Sequence, residues 1–80
     1  MTATVQLDVR GLEPPEPMVR VLLALDALAP GATLEVLHDR RPMFLYPQLD
    51  DRGFRHETHE VGPGLIRIVI RRAPHAADTP

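Results

Sequence analysis

Arg10, Glu13, Glu16, His38 and Asp39 are the residues of this chain best suited to joint chemistry. They combine one imidazole, three carboxylates and one guanidinium. One His with carboxylates can hold a borderline or hard divalent metal, with His38 as the nitrogen donor. His38 could equally carry a proton near neutral pH. The plainer alternative is that His38 ends a strand and bonds to the following loop, while Glu13 and Glu16 face the positive end of a helix. A lone His falls short of a full ligand set, so the expectation is a ligand-binding edge without a resident cofactor. Catalysis is not expected. The 80 residues contain no Cys, Ser or Lys, which removes the strongest covalent nucleophiles and any thiolate metal site.

Other candidates are weaker. His56 and His59 are three apart, which joins them on a helix but sends them to opposite faces of a strand. The segment reads as a strand, so joint chelation would need a bulge. Arg40-Arg41 makes a small basic loop able to hold a carboxylate or phosphate. The Tyr46 hydroxyl could reach the same edge, although such a Tyr more often covers core with its ring and keeps its tip in water. Arg67 and Arg71, with Arg55, could form a basic face for RNA. With a net charge of -2 and only three Phe or Tyr rings, nucleic acid is not the expected partner. A cross-strand pair between Arg67 and Glu35 is the simpler use of that face.

These side chains need elements to position them. Val5, Leu7 and Val9 alternate with polar residues, a half-buried strand. Pro15-Glu16-Pro17 suits a helix start, because a first-turn residue needs no N–H partner. Met18, Val21, Leu22, Leu25 and Leu28 then form one helical stripe. Val19 and Leu23 widen it, so a covered flank is expected. Ala29-Pro30-Gly31 ends the helix. Thr33–His38 reads as a strand with Leu34, Val36 and His38 on one face. A short helix over about Phe44 to Arg52 ends at Gly53. Arg55 to Val61 reads as a charged edge strand, and Leu65 to Arg71 as a strand burying Ile66, Ile68 and Ile70. Phe44 and Phe54 are placed in the core. Residues 1–72 are expected to form one domain and 73–80 a disordered tail.

The order β-α-β-α-β-β predicts an α/β (α+β) two-layer sandwich, a four-stranded mixed sheet with two helices on one face. The C-terminal ends of the first two strands, as parallel neighbours, would gather the five candidate residues at one edge.

Leu7-Asp8-Val9-Arg10-Gly11-Leu12, Pro15-Glu16-Pro17 and Ala29-Pro30-Gly31-Ala32-Thr33-Leu34-Glu35-Val36 resemble the TusA/SirA sulfur-carrier family over about Val5 to Arg72. The resemblance implies the same βαβαββ fold. The reactive Cys of those carriers falls at Pro14 here. Persulfide transfer is therefore excluded for this chain, since it has no other Cys. A cysteine-less branch, domain of unknown function 2249, is similar also at His38-Asp39-Arg40-Arg41-Pro42, at Leu45-Tyr46 and at the closing Arg-Ile-Val-Ile-Arg strand. The expectation is a cytoplasmic, non-catalytic binding or interaction module with a protein partner. A metal- or cofactor-binding accessory protein using His38 with nearby carboxylates is the alternative, and RNA binding through the open face is the third reading. No membrane association is expected.

Overall fold

The computed structural model describes residues 3–72; the predicted tail at 73–80 lies outside them. Six elements follow in order: β1 (Thr4–Asp8), α1 (Glu16–Asp26), β2 (Thr33–His38), α2 (Leu45–Asp51), β3 (Phe54–Gly62) and β4 (Leu65–Arg72). The sheet order is β1-β2-β4-β3. β1 runs parallel to β2, and β4 is antiparallel to both β2 and β3. The parallel pair requires a crossover, which α1 supplies. β3 and β4 are a hairpin closed by Gly62-Pro63-Gly64.

Strand alternation puts Leu34, Val36, Ile66, Ile68 and Ile70 on one face, all buried. Val21, Leu25 and Leu28 from α1, and Leu45 and Leu49 from α2, join them in one core. The two helices therefore cover the same face. The other face carries Gln6, Glu35, Leu37, Arg55, Arg67, Val69 and Arg71, the mixed composition of a sheet surface open to water. No helix among the described residues is long and apolar enough to cross a membrane.

The helix boundaries follow local chemistry. Pro17 sits in the first turn of α1 and is buried. In α2, Pro47 falls in the first turn, where it removes no helical hydrogen bond. Gly53 ends that helix at φ +79°, a left-handed conformation that favours glycine. Phe54 follows it into the core.

Three packing expectations are corrected. Phe44 is 87% exposed. It precedes Leu45, and α2 buries Leu45 and Leu49, so Phe44 lies about a quarter turn off the buried side. Val19 and Leu23 are exposed, because α1 is covered only along its Val21-Leu25 side. Arg67 does not pair with Glu35. The register sets Arg67 opposite Leu37, and Glu35 opposite Val69. Glu35 instead accepts a hydrogen bond from Gln6 Nε2 at 3.2 Å.

Candidate functional site

The C-terminal ends of β1 and β2 lie side by side, as the parallel register requires. The loops leaving them are tied together by one carboxylate. Gly11, at φ +81°, donates its N–H to Asp39 Oδ2 at 3.2 Å. This hydrogen bond holds the Asp39 carboxyl below its usual pKa, with the neighbouring His38 ring and the Arg40 guanidinium adding to the effect; partial burial opposes them. Arg40 Nε lies 3.4 Å from Asp39 Oδ1.

His38 is 4% exposed, the only buried polar or charged side chain among the described residues. Its Nδ1 accepts from the N–H groups of Asp39, at 2.9 Å, and Arg40, at 3.2 Å. Two backbone donors on one ring nitrogen assign the proton to Nε2, an assignment made from the hydrogen-bond network. Asp39 Oδ1 lies 3.1 Å from the same Nδ1. Full protonation of the ring would turn Nδ1 into a donor and this carboxylate into its acceptor.

The remaining candidate residues at this edge are held elsewhere. Arg10 grips Asp8 through two contacts, Nε to Oδ1 at 2.9 Å and Nη2 to Oδ2 at 2.7 Å. That grip, with the Arg10 N–H, lowers the Asp8 carboxyl to about 2. Glu16 pairs with Arg20 one turn along α1, at 2.8 Å. The Glu13 carbonyl accepts from the Glu16 N–H at 2.9 Å, and its residue is exposed. Of the five sequence candidates, the structure brings only His38 and Asp39 into direct side-chain contact. Among the described residues, no group of three or more His, Cys, Asp or Glu side chains is arranged to hold a metal ion.

What the edge does contain is a hollow of about 400 Å³. Leu12, Pro14, Pro15, Pro17 and Met18 form one wall, from the turn after β1 into α1. Arg40 to Leu45 form the other, and His38 lies between them. The Gly11–Asp39 hydrogen bond joins the two loops that carry these walls. Met43 is 66% exposed and Phe44 87% exposed at this hollow. Sequence periodicity missed the walls because Leu12, the prolines, Met43 and Phe44 fall outside any apolar stripe; only Met18 and Leu45 belong to one. The available signal was a Met-Phe pair between Pro42 and a helix, facing a proline-rich helix entrance.

The other titratable candidates lie apart from it. His56 faces the helical layer, stacked on Tyr46 at 4.8 Å between ring centroids, with Nε2 3.2 Å from Asp50 Oδ1. His59 lies on the open face beside Glu57. The two thus occupy opposite faces, as the strand reading predicts, and the register shift in β3 falls later, between Glu60 and Gly62. The Tyr46 hydroxyl bonds to Thr58 Oγ1 at 2.7 Å and does not reach the edge.

A βαβαββ sandwich with a proline-rich helix entrance defines a SirA-like fold. The chain belongs to the family described as uncharacterized conserved protein (DUF2249), whose profile matches residues 6–72. A solved SirA-like protein from Desulfitobacterium hafniense shares the fold, with a TM-score of 0.75 and 25% sequence identity. The match covers 92% of this chain and 100% of that one. No curated protein matches this chain.

Proposed function

We propose that this protein is a non-catalytic binding module that seats part of a protein partner in the hollow at the β1/β2 edge. The observation that carries this reading is Phe44, 87% exposed on the rim of an apolar hollow. Exposed apolar side chains scattered singly are ordinary. Phe44 and Met43 are adjacent and border a concavity of ligand size, which is the arrangement of an interface anchor. His38 adds one directional group. Its Nε2–H is a hydrogen-bond donor in a lining that is otherwise apolar apart from Arg40 and Arg41.

The absence of Cys supports a non-catalytic role, since Pro14 stands where the sulfur carriers have their thiol. With no thiolate to present, the same helix entrance offers shape and apolar contact.

The test is affinity capture on the whole protein, followed by binding measurements with the purified captured protein. Phe44→Ala should weaken that binding at least about tenfold, as truncation of an interface anchor does. Leu23→Ala, on the outer face of α1, should leave it unchanged. A partner that binds the Phe44→Ala protein with full affinity would reject this site.

A further inference from the structure

The arginines of this chain divide into two groups. Arg10, Arg20, Arg40, Arg41 and Arg52 each lie within 4.0 Å of a carboxylate. Arg55, Arg67, Arg71 and Arg72 pair with no carboxylate among the described residues, and all four lie on the β3–β4 hairpin. The chain is net acidic, at -2, so carboxylates are not in short supply. They are engaged elsewhere: on the open face Asp8 is held by Arg10, Glu35 by Gln6 and Glu57 lies beside His59.

The arrangement of Arg55, Arg67 and Arg71 is unfavourable without a counter-charge. Arg55 and Arg71 are directly opposite each other in the β3–β4 register. Like charges at such positions repel. Arg67 Nε is buried and has no hydrogen-bond partner among the described residues. A buried donor left unsatisfied is costly. Arg72 lies over the Phe54 ring, 5.0 Å from its centroid, so its partner is an aromatic face.

We propose that the open face of the β3–β4 hairpin binds an extended acidic segment of a protein partner, with carboxylates on Arg55 and Arg71 and on Arg67. Arg67 and Arg71 lie on the same face of β4, four residues apart, or about 13 Å along the strand. An extended chain matches that spacing with carboxylates four residues apart, projecting to one side. Between the arginines, Glu57 on β3 lies beside His59 and Glu35 on β2 is held by Gln6, which leaves half-buried Val69 and, opposite Arg67, half-buried Leu37 as the apolar surface. These suit the aliphatic stems of Glu side chains. No Phe or Tyr lies on this face to stack a base: Tyr46 contacts β3 from the helical layer, Phe54 is buried and Phe44 borders the hollow. An acidic peptide therefore fits better than a single-stranded nucleic acid. This surface is separate from the Phe44 hollow, and either proposal can fail alone.

The experiment is an NMR titration of the whole chain with a blocked decaglutamate peptide at about 20 mM salt, where surface charges are weakly screened. The expected result is amide shifts centred on Arg55, Val69 and Arg71, with affinity falling at least about tenfold by about 200 mM salt. The Arg55→Ala/Arg71→Ala protein should lose at least about tenfold in affinity. Arg40→Ala/Arg41→Ala, which removes the same charge elsewhere, should keep it, as should Phe44→Ala. The proposal is overturned by absence of binding, by equal loss in the two double variants, or by an oligouridylate of equal charge binding as tightly as the peptide.

Discussion

Asp39 and Asp8 are both held below their ordinary pKa, the first mainly by the Gly11 N–H and the second by Arg10. The sign of the linked effect follows directly. A carboxyl with a depressed folded value binds fewer protons folded than unfolded near its unfolded pKa. Its stabilising contribution is complete above that value, 3.8, and disappears as pH falls through the folded value, about 2 for Asp8. The urea midpoint should therefore contain an acid limb between roughly pH 4 and pH 2 attributable to these groups. Asp39→Asn should make that limb shallower. An identical limb in the variant would show that the Gly11–Asp39 hydrogen bond contributes nothing measurable. His38 was legible as a strand-end residue on the buried face, because Leu34 and Val36 set its parity. The fate of Arg10 and Glu16 was not: each has a partner within a few residues, Asp8 and Arg20, whereas the sequence groups both with His38 and Asp39.

At the scale of elements, the same side-chain type carries very different weight according to its face. Leu49 is fully buried on α2, and Leu49→Ala should cost about 2–5 kcal/mol in chemical denaturation. Leu23, 63% exposed on α1, should change stability by no more than about 0.5 kcal/mol on the same substitution. Gly53→Ala places a Cβ at φ +79°, with open space around it. Its cost should thus be conformational, about 1 kcal/mol. A value near zero would mean that the backbone relaxes out of the left-handed region. Element order and strand parity were readable because both rest on short-range periodicity. The exposure of Phe44, Val19 and Leu23 was not, because hydrophobicity alone does not say how much of a helix its sheet can cover. Arg67 and Glu35 illustrate the same limit across strands. Their pairing depends on register, which the hairpin turn and the β2–β4 contact set.

The molecule as a whole has one core between its helices and one sheet face, leaving two functional candidates on separate surfaces. One is the hollow, at the edge where β1 and β2 end. The other is the hairpin face, on the opposite side of the sheet from the helices. A partner large enough to use both would have to pass around the sheet edge. The SirA-like architecture was legible from motif spacing and element order together. The hollow required three dimensions, since its walls come from segments around residues 12–18 and 40–45.

The Gly11–Asp39 hydrogen bond spans 28 residues. It also has a consequence for the order of events in folding. β1 is an edge strand paired only with β2, so it can detach while β2, β4 and β3 remain joined. The Gly11 amide can be shielded only when β1 is docked. Its exchange with deuterium should thus report docking of β1 alone, and should be faster than exchange of Val36 or Ile68 in the central strands. Equal rates at the three amides would show that the sheet opens as a unit.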